Sequence, residues 1–313
     1  MMDIFHSICK HFHKVQIPAS FSEERYATAY PDCKGDAIKH YKKKGKRQGR
    51  ICYQLDDMGR KKSYRTNWHP LISIIVTSYN YEQYIEQTLE SLVDQTYDNV
   101  EIIVVDDNSQ DASVEIIKKY TGKFSNIKLL THPDKRNHGL PQSMLLGIMH
   151  ANGEYVAFCE SDDYWDPEYI MQKIRIINTY EDVVIISNAI KMFGNTKDVN
   201  TRQWVCSHIK KLLKQGGTPI DLRYNQEFNF IPTLSSVMIR TDIIKKLNFD
   251  TPVPAWIDFW LYRQILIKYP LYFVDKELTF WRQHDSYNGL SESSKRANKL
   301  KYFLKESNAL IGL

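Results

Sequence analysis

Glu160, Asp162 and Asp163 crowd the end of a short apolar run in YVAFCESDDYWDP, residues 155–167. Five residues fit for a buried strand, Tyr155 to Cys159, deliver three carboxylates and Ser161 to a single turn. Oxygen donors gathered this way suit a hard divalent cation, Mg2+ or Mn2+, and any phosphorylated group that the cation holds; zinc would call for Cys or His. The competing reading is an exposed acidic turn, with Asp166-Pro167 opening the next helix. Two other apolar runs end in polar clusters of the same kind: ISIIV leads into Thr77, Ser78, Tyr79 and Asn80, and EIIVV leads into Asp106, Asp107, Asn108 and Ser109.

The elements that must position these clusters alternate along the chain. Residues 72–76 read as a β-branched strand. Residues 81–95 carry apolar positions at helical spacing, Tyr84, Ile85, Leu89, Leu92 and Val93. The spacing then predicts a strand at 101–105, a helix at 112–120, a strand at 127–130, a helix at 141–150, a strand at 155–159 and a helix at 168–180. Continuous apolar strands separated by helices imply an α/β fold, with a mostly parallel sheet covered by helices on both faces. Ligands of such sheets lie outside the carboxyl ends of the strands, where the three clusters fall.

Composition narrows the function further. The chain has 313 residues, 42% hydrophobic and 25% charged, with a net charge of +5. Eight Lys or Arg between Lys34 and Arg50 face only Asp36, a local +7 that leaves about −2 for the rest. That distribution excludes a wholly basic nucleic-acid binder and marks one basic patch. The cysteines Cys9, Cys33, Cys52, Cys159 and Cys206 form no CxxC pair, so reduced thiols are expected, with neither a zinc site nor a disulfide framework. With no apolar run of bilayer length and no signal-peptide core at the start, the expected location is the cytoplasm.

In order and spacing, SIIVTSYN, IIVVDDNSQD and FCESDDYWDP, with RNHG and NGEY between the last two, resemble the family 2 glycosyltransferases of the GT-A fold. The likeness runs over about residues 70–288. It implies a metal-dependent inverting transfer from a nucleotide-sugar, a UDP-sugar foremost, to a glycan or lipid-linked acceptor in bacterial surface polysaccharide synthesis. It also implies roles. Asp106 would read the nucleotide, with Asp107 beside it or capping the next turn. Thr77, Ser78, Tyr79 and Asn80 would line base and ribose, Tyr79 either stacking or buried. Asp162, helped by Asp163, would hold the cation. Glu160 stands where the family has Asp, and its longer side chain still reaches ribose or ion; Ser161 lies between them. Many relatives carry Ala-Arg-Asn near the start of the preceding helix, where this chain has Ser143, Met144 and Leu145. Arg136 upstream is the substitute, or a solvated loop residue.

An inverting transfer also needs a base for the acceptor hydroxyl. The resemblance points to Asp258 in PAWIDFWLYRQILIKY, just before a helix, where it equally well caps that helix. The family's acidic pair falls alternatively on Ala255 and Trp256. LTFWRQHDSYN resembles the family's closing strand, making Arg282 and His284 candidates for phosphate or metal contact. Trp256, Trp260 and Trp281 are sugar-stacking candidates or core.

The domain expected from these patterns covers 70–290. Ahead of it, 1–69 is read as a small basic helical module, resembling one beside some bacterial glycosyltransferases through Tyr26, Tyr30, Pro31, Asp32, His40, Tyr41, Gly45, Gly49 and Arg50. Its Lys42, Lys43, Lys44, Lys46 and Arg47 suit anionic headgroups at the inner face of a membrane, an acidic glycan or plain solvent. Behind it, 291–313 reads as a basic helical tail that packs on the domain, lies on a membrane or meets a partner. Two other classes compete. A sugar-nucleotide pyrophosphorylase would want a glycine-rich phosphate loop after the first strand, which SYNYEQYI lacks. A catalytically inactive domain of the same fold would bind nucleotide or glycan only.

Overall fold

Ile72, Ile74, Ile75 and Val76 are almost wholly removed from solvent, because their strand is covered on both faces and can carry apolar side chains at every position. The computed structural model describes residues 33–40, 68–180, 183–194, 207, 229–284 and 293–311. Most of the N-terminal module, including its lysine cluster, lies outside the described residues, as do residues 195–206 and 208–228 of the variable region. A short helix, α1 (Ala37–His40), is what is described of that module.

The main domain runs β1 (Ile72–Ser78), α2 (Ile85–Val93), β2 (Val100–Asp106), α3 (Ser113–Lys123), β3 (Ile127–Thr131), α4 (Leu140–His150), β4 (Tyr155–Glu160), β5 (Tyr164–Trp165), α5 (Tyr169–Thr179), β6 (Ile185–Gly194), β7 (Val237–Arg240), α6 (Thr241–Ile244), α7 (Ile257–Leu266) and β8 (Leu271–Gln283). The eight strands form one sheet in the order β3-β2-β1-β4-β7-β6-β8-β5. β3, β2, β1 and β4 are parallel, as the alternating pattern predicts; β7 and β5 run against their neighbours. The α/β architecture with helices on both faces is therefore present. One apolar core holds α4 and α7, the other α2 and α5.

Helix α4 packs directly on β1. A Cβ on Gly147 would meet Ile75 Cγ2 at 2.7 Å, so the close approach requires glycine there. The first helix starts at Ile85 rather than at Tyr81, because the backbone N–H groups of Tyr81 and Glu82 donate to Ser113 Oγ and Asp111 Oδ2 across the β2 loop. Those bonds hold residues 81–84 as a turn. The C-terminal helix α8 (Ser293–Ile311) packs on the domain: Phe303 is fully buried, stacked on Phe259 at 5.1 Å and edge-on to Trp256, and Arg263 bonds Asn308. Among the described residues no helix is long and apolar enough to cross a membrane.

Candidate active site

Three strand ends meet at one rim of the sheet, and their loops are tied to one another rather than left free. At the end of β2, Asp106 folds back on its own turn, accepting from Ser109 N–H at 2.9 Å and Ser109 Oγ at 2.6 Å, while Asn108 takes the left-handed conformation. Asp106 is only 1% exposed. Asp107 reaches sideways and accepts from the N–H groups of His138 and Gly139, both at 2.8 Å, clamping the RNHG loop against β2. Asn80, also left-handed, donates its N–H to Ser109 Oγ and accepts from Gln110 N–H at 2.7 Å. The first two clusters thus form one interlocked floor. Ser78 Oγ and Ser161 Oγ, at the ends of neighbouring strands, are buried with no partner among the described residues. Tyr79 stands above, 44% exposed, with a ring free of core packing. Thr77 is half-buried.

Arg136 is exposed on the clamped loop, where its N–H donates to Asp134. Ser143, at the place of the family's arginine motif, instead bonds His132 Nε2 at 3.0 Å.

The carboxylate cluster after β4 has a division of labour that spacing alone does not reveal. Asp162 Oδ2 lies 2.9 Å from His284 Nε2, two groups 122 residues apart brought together by β4 and β8. Asp163 is different. Its Oδ2 accepts from Ser235 Oγ at 2.6 Å and its Oδ1 from Arg282 N–H at 2.8 Å, and it is 1% exposed. Both of its oxygens thus accept hydrogen bonds from the protein, and each keeps a further lone pair. Arg282 stands beside this carboxylate. Its Nε donates to the Asp162 carbonyl at 2.8 Å, its terminal nitrogen bonds Gln87, and its guanidinium lies 4.6 Å from the Tyr84 ring centre and 4.5 Å from that of Phe193. These contacts fasten the acidic turn.

Glu160 accepts from Thr233 Oγ1 at 3.1 Å, and its N–H donates to Ser235 Oγ at 2.9 Å. Burial, then the charges of Asp162 and Asp258, push its carboxyl up to about 8. Asp258 sits in the first turn of α7, whose N-cap position is Trp256; it is therefore not the helix cap. Burial pushes it up to about 6, against hydrogen bonds from backbone N–H groups and Asn229 that favour its charged form. Glu160 is thus close enough to Asp162 and Asp258 to feel the charge of both. Trp256 and Trp260 belong to the core, and Trp281 is partly buried against Ile190 and Met192.

Sequence reading missed the turn Thr233–Ser236 altogether. Its signal was a polar TLSS run between apolar Ile231 and the β7 strand. It also missed Thr88, whose Oγ1 donates to the carbonyls of Ser161 and Asp163 at 3.0 and 2.7 Å, and Tyr81, whose phenol burial and the nearby acids push well up.

No three His, Cys, Asp or Glu side chains among the described residues form a ready-made metal cage. A pair such as Asp162 and His284 fits an ion that takes its remaining ligands from water and phosphate.

Comparison with known proteins places this architecture. Residues 1–349 of Staphylococcus aureus TarS, in complex with UDP-GlcNAc, superpose with a TM-score of 0.53 at 20% identity, over 75% of this chain and 66% of that one. Mannosyltransferase PcManGT from Pyrobaculum calidifontis, in complex with GDP-Man and Mn2+, gives 0.54 at 14% identity, over 74% and 61%. At these identities the likeness is one of fold. In sequence, glycosyltransferase EpsH of Bacillus subtilis (strain 168) is 39% identical over 136 residues, 43% of this chain and 39% of EpsH, so the match spans well under two thirds of that relative. The profile of Glycosyl transferase family 2 matches residues 73–247, more than half of the chain and every strand end described above except that of β8. With that match over a GT-A-like sheet, the chain belongs to glycosyl transferase family 2.

Proposed function

We propose that the protein is a metal-dependent inverting glycosyltransferase. It moves a sugar from a nucleoside diphosphate, UDP first, to a hydroxyl of a glycan or lipid-linked acceptor in bacterial surface polysaccharide synthesis, in the cytoplasm or at the inner face of the membrane. The observation that carries this reading is the facing pair Asp162 and His284, with Glu160 near enough to Asp162 and to the acid of α7, Asp258, to feel the charge of both.

Asp162 and His284 would hold the cation, with Mn2+ favoured over Mg2+ because one donor is an imidazole. A bound divalent cation offsets the charge of the leaving diphosphate. Tyr79 offers a face for the base, and the unpartnered hydroxyls of Ser78 and Ser161 offer donors to ribose or phosphate oxygens. Asp106 and Asp107 act by shaping the floor beneath the nucleotide, with Thr77 and Asn80 beside them; Arg136 supplies positive charge on the adjoining loop. With a proton affinity near pH 6, Asp258 is ionised at neutral pH and takes the acceptor's hydroxyl proton. The acceptor oxygen bonds to the anomeric carbon from the face opposite the diphosphate. The carbon–oxygen bond to the diphosphate breaks, and its electron pair leaves with that group. Glu160, its carboxyl pushed up to about 8 by burial and the neighbouring acids, accepts from Thr233 Oγ1 beside them.

Calorimetric titration with UDP, GDP and CDP, each with Mn2+ and with EDTA, tests the reading. One nucleotide should bind in a metal-dependent way, and Asp162→Ala should remove that dependence. Binding that survives Asp162→Ala unchanged moves the metal elsewhere. No binding of any nucleotide favours the inactive-domain reading.

A further inference from the structure

Lys173 is the one fully buried amine of α5, and the mechanism above makes no use of it. Its Nζ donates to Asn188 Oδ1 at 2.6 Å and to the Ser236 carbonyl at 3.2 Å, and it lies 3.1 Å from the centre of the Tyr169 ring. No ion pair to it is present among the described residues, and burial pushes its amine well below the ordinary lysine range. A long cationic side chain is costly to bury for packing alone, where Met would fill the same space. What its contacts have in common is their destination.

Each leads to the turn Thr233–Ser236. One route is direct, through the Ser236 carbonyl. In a second, Asn188 Nδ2 donates to Thr279 Oγ1 at 3.0 Å, and Thr279 donates to the Ser235 carbonyl at 3.2 Å. In a third, Tyr169 stacks on Trp165 at 3.6 Å with the rings within 7° of parallel, and Trp165 Nε1 donates to the same Ser235 carbonyl at 2.8 Å. The carbonyls of this turn therefore face the core and its donors. Two of its hydroxyls face the opposite way, Thr233 Oγ1 to Glu160 and Ser235 Oγ to Asp163 and to the N–H of Glu160, while Ser236 Oγ turns to Ser187 Oγ and the Thr233 carbonyl.

We propose that Lys173 is a positioning residue for the acidic turn, fixing the Thr233–Ser236 turn from beneath so that Ser235 and Thr233 hold Glu160 and Asp163 in place beside Asp162. This rests on the proposed metal-dependent nucleotide binding for its functional consequence, though not for its structural one.

The test uses the full chain with Lys173→Met, which keeps length and removes the donors, and Lys173→Gln, which restores a donor. Hydrogen exchange of the segment 230–240 should quicken in Lys173→Met while β1 and β2 stay protected. Mn2+-dependent UDP affinity should fall about tenfold, as for other residues that orient metal ligands indirectly, with affinity in EDTA unchanged and with Lys173→Gln recovering most of the loss. Unchanged exchange in 230–240 overturns the proposal whether or not the nucleotide binds. Unchanged Mn2+-dependent affinity in a variant whose turn has loosened overturns the functional half. A wild-type protein that binds no nucleotide counts against the proposed function, and exchange still decides the structural claim. Should Lys173→Met fail to fold, Thr279→Val removes the second route isosterically; it must loosen the same segment, and a turn that stays protected in it refutes the network.

Discussion

Replacing Arg282 by lysine separates two roles that charge alone cannot distinguish. The substitution keeps the positive charge and the backbone N–H that serves Asp163, and it removes the planar fork. Lost with the fork are the Nε donation to the Asp162 carbonyl, the bond to Gln87 and the packing between Tyr84 and Phe193. A hydrogen bond from a charged donor is worth about 1.5–3 kcal/mol, and each ring contact adds roughly 0.5–1 kcal/mol at a partly exposed site. Allowing for what the ammonium regains, the expected loss is about 3 kcal/mol, a factor of roughly 150 in the folding equilibrium. For a domain of this size that lowers Tm by about 6–12 °C. Differential scanning fluorimetry with EDTA at physiological ionic strength, where exposed charges are largely screened, measures this without nucleotide or metal. If Arg282 instead serves the diphosphate, Arg282→Lys would leave Tm within a degree or so and raise the salt sensitivity of UDP binding. That outcome would refute the assignment of Arg282 as the fastener of the acidic turn.

Other outcomes follow from the same geometry. Asp258→Asn should leave Mn2+-dependent nucleotide binding intact and remove transfer; a fully active variant would sink its role as base. Because burial raises the Asp258 carboxyl to about 6, wild-type kcat/KM should be full above that pH and decline as pH falls through it, a limb read directly from a rate profile. At the other rim of the sheet, burial pushes Glu101 up, but bonds from Lys128, Asn152 and Ser73 outweigh this and hold it down at about 2. A folded-state value below the unfolded one gives stability that is present above the unfolded value near 4.5 and is lost as pH falls towards 2. Urea midpoints of wild type and Glu101→Gln should therefore differ at pH 7, draw together as pH falls below about 4.5 and converge only near pH 2; a gap as wide there as at pH 7 would contradict the assignment.

Much of this molecule is legible in the sequence, because apolar runs and their polar ends are local properties. The strands β1, β2 and β4 and the residues at their ends are where pattern and resemblance put them. The roles within the clusters were less legible. Nothing local distinguishes Asp162 from Asp163; the difference arises because β8 brings His284 to one and Arg282 N–H to the other from 119 or more residues away. Thr233 and Ser235 carry no periodic signal, and their importance depends on the reversal at β7, which seats a short polar run against the end of β4. The tryptophans near Asp258 read as well for sugar stacking as for core, until α8 covers their helix from the other side.

Thr88 leaves a consequence for the energetics of donor capture. By holding the carbonyls of Ser161 and Asp163, it makes α2 and the acidic turn move as one body, and Gln95 extends the tie through the Asp166 carbonyl and the Ile170 N–H. On the proposed function, the floor beneath the nucleotide and the wall beside its diphosphate would then be ordered before the donor arrives, and binding need not freeze these loops. Whatever adaptation the acceptor demands must come from outside this body. Donor affinity and acceptor choice can accordingly drift apart under mutation, the first confined by a rigid frame and the second free to change.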